Sequence, residues 1–177
     1  MKIKSLLIPV ITICLFAAIL FSTKTATANM AQANYEAELN NLMLALLPGS
    51  TSFAEEVYDG EDANIKAVYR AENGCVIMTS TYGYAGDLVM LIGVTNDGDV
   101  KGVVVREMSE TYGLGANALS DVDFLAQFLW TEGDAEIGTN VDAITGATVT
   151  SKAVARSVNS AVGFMTGVDA TTSATSW

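Results

Sequence analysis

The chain has 177 residues, with 20 acidic residues against 9 basic ones and no histidine. That length suits one ordinary domain plus an appendage. After Met30 the balance is 6 basic to 20 acidic residues, a net −14; a phosphate backbone or anionic lipid surface would repel such a domain, so nucleic acid is excluded as the main partner. The lack of histidine removes Ser-His and Cys-His catalysis. Two cysteines, Cys14 and Cys75, are too few for structural zinc or an iron–sulfur cluster held by this chain alone.

The first element is an uncharged run, Ser5–Phe21, preceded by Lys2 and Lys4. With Ser22 and Thr23 it reaches the ~20 residues that a bilayer core requires. Positive charge marks the cytoplasmic side. The expectation is a single-pass anchor in the cell membrane, N-terminus inside and main domain on the outer face. A cleaved signal peptide with Ala26-Thr27-Ala28 as its processing site is the alternative; the length of the run favours retention.

Leu39, Leu42, Met43, Leu46 and Leu47 follow helical spacing, and Pro48-Gly49 ends the pattern. A helix over 31–47 is therefore expected to link the anchor to the domain and lie over its core. Residues 50–63 are acidic and aperiodic and read as loop. Four strands follow: Ile65–Arg70, Cys75–Tyr82, Asp87–Val94 and Val100–Arg106. The joining turns are Glu72-Asn73-Gly74, Gly83-Tyr84-Ala85-Gly86 and Thr95–Asp99, a pattern that predicts an antiparallel meander. The fold class is thus α+β.

Glu107–Ala118 has two glycines and no period, and reads as a loop of the kind that often carries function. Ser120 is the expected cap of a short helix whose apolar side is Phe124, Leu125, Phe128 and Leu129, core rather than a platform for a ring. Ala153, Val154, Val158, Ala161, Val162 and Met165 trace a last helix, stopped by Gly167. The domains expected are 1–29, anchor and short linker; 30–168, the outer domain; and 169–177, a flexible tail.

One stretch stands apart. Val141–Ser151 reads V-D-A-I-T-G-A-T-V-T-S, with Thr145, Thr148, Thr150 and Ser151 around a Gly146-Ala147 pair at a helix start. Helix N-termini present unpaired N–H groups and the positive end of the dipole, a ready site for phosphate. Ordinary capping needs one hydroxyl; four exceed it. Thr150 and Ser151 are candidate caps or phosphate donors.

Asp142-Ala143-Ile144-Thr145-Gly146-Ala147-Thr148 resembles the flavinylation motif D-x-x-[ST]-G-A-[ST] of the FMN-binding domain family. Glu110-Thr111-Tyr112-Gly113-Leu114-Gly115 resembles that family's E-T-P-G-L-G loop, with Tyr112 in place of proline, and Gly83-Tyr84-Ala85-Gly86 falls in the expected order. The resemblance implies an FMN-binding domain whose FMN is joined by a phosphoester to Thr148. It implies flavin contacts from Glu110, Thr111, Leu114, Gly115, Thr145, Gly146 and Ala147. It also implies a partner enzyme, a flavin transferase of the ApbE type. With the anchor, the pattern is similar to the G subunits of Rnf-type ion-translocating ferredoxin:NAD oxidoreductases and, with a poorer match of length, to the related subunits of sodium-pumping quinone reductases. That implies a non-autonomous redox subunit among other membrane and redox subunits, with no catalytic side chain and no metal of its own. A free-standing extracytoplasmic flavin carrier and a non-redox exported scaffold are the alternatives.

Overall fold

The computed structural model describes residues 3–110 and 115–167. The expectations for Thr111, Tyr112, Leu114 and the tail lie outside the described residues.

Helix α1 runs without a break over Ile3–Leu46, so the apolar run and the expected linking helix are one element. No proline or glycine interrupts the chain between Pro9 and Pro48, and nothing else in that span would stop a helix. Among the described residues no helix is long and apolar enough to cross a membrane; the side chains of residues 3–14 are not among those described. The chain divides into two compact units, 1–41 and 42–177.

The first unit is helix alone. Its apolar side chains Leu15, Phe16, Leu20 and Phe21 are exposed. Ser22 and Thr23 donate back to the carbonyls of Ala18 and Leu20, at 2.8 and 3.0 Å.

The second unit is a five-stranded antiparallel sheet in the order of the sequence: β1 Ala54–Glu56, β2 Ile65–Ala71, β3 Gly74–Tyr82, β4 Asp87–Thr95 and β5 Val100–Met108. The predicted meander is present and gains β1 on one edge, where the sequence reads as loop. β1 is three exposed residues paired only with 68–70 of β2, so it shows no burial period for a sequence reading to find. β5 runs two residues past its expected end and takes Glu107 and Met108 out of the expected loop.

Register decides which face each side chain serves. Cys75, Ile77, Thr79 and Thr81 of β3 oppose Val94, Ile92, Met90 and Leu88 of β4. These residues form one face, covered by α4, Thr148–Thr166, whose Ala153, Val154, Val158, Ala161 and Val162 are buried in the same cluster. α3, Val122–Ala126, and the 3-10 turn Gln127–Trp130 close this face beyond β5. There Phe124 and Phe128 meet edge to face at 5.3 Å and are core, as expected. Burying such a side chain fully contributes ~1.5–3 kcal/mol. The cap of α3 is Asp121, which accepts from the Phe124 N–H at 3.0 Å, and not Ser120, whose hydroxyl turns back to the Ala116 carbonyl. On the opposite face Leu46 packs over Gly93 and Gly102, where a Cβ at either position would collide with it.

Candidate functional site

The site forms at one end of the sheet, where three separate segments meet. The first is the turn 83–86 between β3 and β4, closed by Gly83 N–H donating to the Gly86 carbonyl at 2.8 Å. The second brings Glu110, just after β5, and Gly115, the first residue of the short helix α2, Gly115–Ala118. The third is the N-terminal turn of α4. Together Tyr84, Glu110, Gly115, Gly146, Ala147, Thr148, Val149 and Thr150 line a cavity of about 500 Å³. That volume is typical of small-molecule and cofactor sites.

Side-chain hydrogen bonds hold α4 and its lead-in segment in place. Thr81 of β3 donates to the Ala153 carbonyl at 3.1 Å and shares a hydrogen bond with Ser157 at 2.9 Å. Arg156 donates to the Tyr82 carbonyl at 2.9 Å, and burial pushes its guanidinium pKa below the usual value. The buried Asn159 amide clamps Ala135: its Oδ1 accepts from the Ala135 N–H at 2.9 Å and its Nδ2 donates to the Ala135 carbonyl at 3.0 Å. Gln127 accepts from the Asp142 N–H at 2.8 Å. The lead-in to Thr148 is thereby fixed from both sides.

The start of α4 departs from ordinary capping. The cap position is Ala147, and no side chain caps the helix. The first turn keeps its unpaired N–H groups, and these with the dipole favour an anion. Gly146, at φ 81°, turns the backbone into the helix in a conformation that side chains disfavour.

The four hydroxyls have different surroundings. Thr148 is the first helical residue, exposed, at the cavity. Thr150 is buried and lines the cavity, and its Oγ1 has no hydrogen-bond partner. Ser151 is buried, accepts from the Ile144 N–H at 3.3 Å and donates to the Ala147 carbonyl at 3.0 Å. It pins the turn before the helix and does not cap it. Thr150 does not cap either. Thr145 is exposed and outside the cavity lining.

Glu110 joins two parts of the site. Its Oε1 accepts from the Tyr84 N–H at 2.8 Å, and its Oε2 is buried without a partner. Of the expected contacts, the structure brings together Glu110, Gly115, Gly146, Ala147, Thr148 and Thr150. Tyr84 and Val149 line the cavity in addition. Tyr84 carries a signal in the sequence, since its Gly-x-x-Gly turn matches in order; Val149 carries none.

These residues fit a flavin mononucleotide. The uncapped helix start suits its phosphate, the cavity volume suits a ring system, and two orphaned buried polar atoms await partners. Comparison with known proteins agrees. The family model of the FMN-binding domain matches residues 83–163, which contain all three site segments. The chain is 33% identical over 115 residues to the G subunit of the Na(+)-translocating ferredoxin:NAD(+) oxidoreductase complex of Acetobacterium woodii, covering 60% of this chain and 53% of that protein. It is 40% identical over 94 residues to the G subunit of the proton-translocating ferredoxin:NAD(+) oxidoreductase complex of Clostridium ljungdahlii, covering 49% and 50%. The matches thus span about half the length of these two relatives. Against the G subunit of the ion-translocating oxidoreductase complex of Methanosarcina acetivorans the match is 31% over 163 residues, covering 84% of this chain and 86% of the relative. On this near full-length match and on the site geometry, the chain belongs to the FMN-binding domain family, in the company of G subunits of ion-translocating oxidoreductases.

Proposed function

We propose that this chain is a membrane-anchored electron-transfer subunit that carries FMN covalently on Thr148 and works within an Rnf-type ion-translocating ferredoxin:NAD oxidoreductase. The observation that carries the reading is the start of α4: a helix N-terminus beside four hydroxyls, capped by none of them, with Thr148 exposed at the mouth of a cavity. Bound there, the flavin supplies one- and two-electron redox chemistry that no side chain of this protein offers.

The protein's own part is to hold and orient. The first-turn N–H groups of α4 stabilise the remaining phosphate charge. Thr148 Oγ1 is the attachment atom. In the transfer from FAD its oxygen bonds to the FMN phosphorus, the pyrophosphate bond breaks, AMP leaves and the hydroxyl proton is released. That step belongs to a flavin transferase. Tyr84, Gly115 and Val149 bound the space for the ring.

Anchoring is supported by α1, which at ~1.5 Å per residue is long enough for a ~30 Å hydrocarbon core with a remainder outside. Its exposed Leu15, Phe16, Leu20 and Phe21 suit lipid, and the back-bonded Ser22 and Thr23 suit a polar boundary. Lys2 and Lys4 favour an inside N-terminus, which puts the acidic domain on the outer face. The similarity to G subunits supports other membrane and redox subunits as partners.

The test is the intact mass of the full chain co-produced with an active flavin transferase. A gain of one FMN less water, retained in acid and absent from Thr148→Val, is expected. An unmodified mass would overturn the attachment. Co-purification with polytopic membrane proteins from the native host tests the complex.

A further inference from the structure

α4 carries its charges in an order that its dipole disfavours. Acids in the first turn and bases in the last turn stabilise a helix, and α4 has neither. Its only charged residues are Lys152 and Arg156, both in its first half, in a chain with 20 acidic residues. Arg156 is held by the Tyr82 carbonyl, Lys66 by the Ala63 carbonyl, Arg70 by Glu56 and Lys101 by Asp99. Half-buried Lys152 has no hydrogen bond or ion pair among the described residues.

Lys152 follows Thr148 by four residues. Such pairs are neighbours on one helix face, with Cβ atoms ~5–6 Å apart, and helical side chains lean toward the N-terminus. The Lys152 stem therefore runs toward the turn that carries the exposed Thr148. A second group at the same helix start also lacks a partner: Thr150 Oγ1, in a residue 1% exposed at the cavity wall. An open helix start and an unpaired cation one turn above it together suit an anion at position 148.

We propose that Lys152 binds the phosphate of the flavin attached at Thr148. A phosphodiester keeps one negative charge, shared by its two non-bridging oxygens. The Lys152 ammonium donates to one of them, and the first-turn N–H groups of α4 add the positive end of the dipole. Lys152 is not part of the cavity wall, so it restrains the tether and not the ring. This rests on the reading of Thr148 as the attachment residue and adds what balances the charge that attachment brings into the site.

The test compares melting temperatures of the full chain in detergent at low salt, made with and without an active flavin transferase, with intact mass giving the loaded fraction. Loading should raise the melting temperature of the wild type about 1–4 °C further than that of Lys152→Gln, the scale of one partly exposed ion pair in a domain of this size. Lys152→Arg should restore the gain, and high salt should abolish the difference. The transferase-free chains should melt alike, because Lys152 has no partner to lose. A second arm needs no flavin: Thr148→Asp places a carboxylate at the attachment position, and should raise the melting temperature more in the presence of Lys152 than in Lys152→Gln. An equal gain with Lys152 and with Lys152→Gln, on loading or, where a chain does not load, in the carboxylate arm, overturns the proposal. So does a loss in Lys152→Gln that is the same with and without loading. An unmodified wild-type mass overturns the attachment at Thr148 and leaves the carboxylate arm to decide on Lys152.

Discussion

The two ends of α4 are finished in opposite ways. At the C-terminal end Gly167 takes the left-handed conformation, φ 71° and ψ 9°, and its N–H reaches the Gly163 carbonyl at 2.9 Å, while Thr166 donates to the Val162 carbonyl at 3.0 Å. That end needs nothing from outside. The N-terminal end has more hydroxyls beside it and no side-chain cap. The cap position itself is Ala147, which has no side chain to close the turn, so ~1 kcal/mol of capping is forgone there and the first-turn N–H groups stay open to an anion.

The largest test of this contrast is at the open end. Thr148→Val should remove all covalent flavin while leaving the melting temperature of the apoprotein nearly unchanged, since Thr148 is exposed; intact mass and thermal denaturation check the two halves. Next comes the clamp that delivers the open end. Asn159→Ala leaves the Ala135 N–H and carbonyl without their side-chain partners, and should cost ~2–4 kcal/mol in denaturant unfolding, with slower flavin loading. Ser151→Ala removes the pin on the Ile144–Ala147 turn; ~1–2 kcal/mol is expected, again with reduced loading. The smallest effect belongs to the closed end. At Gly167 a Cβ would meet nothing within 4 Å, so Gly167→Ala costs only the left-handed backbone term, ~1 kcal/mol. Flavin loading should not change. If Gly167→Ala impaired loading as much as Ser151→Ala, the two ends would not be independent and the contrast would fail.

Most elements are legible because their signals are local. Strands β2 to β5 show runs of β-forming residues between turn residues, and α4 a clean helical period. The failures have local causes too. β1 is held only by edge pairing and shows no period. The residue before Asp121 reads as the cap because serine and aspartate compete for that position, and backbone geometry chose the aspartate. The expected domain boundary after residue 29 rests on composition alone, and α1 runs through it because no residue there stops a helix.

By itself the sequence determined the α+β meander, the acidic balance of the chain after Met30, and the hydroxyl-rich start of α4. These follow from periodicity, charge and the order of nearby residues. Only the tertiary structure decided which hydroxyl has which task. Ser151 is buried in the turn, Thr145 lies outside the cavity lining, and Thr150 sits unpaired beside Glu110, 40 residues earlier in the chain. The physical reason is that hydrogen-bond satisfaction in a folded protein is settled by non-local contacts. A threonine reads the same in the sequence whether its partner is a carbonyl, water or a ligand.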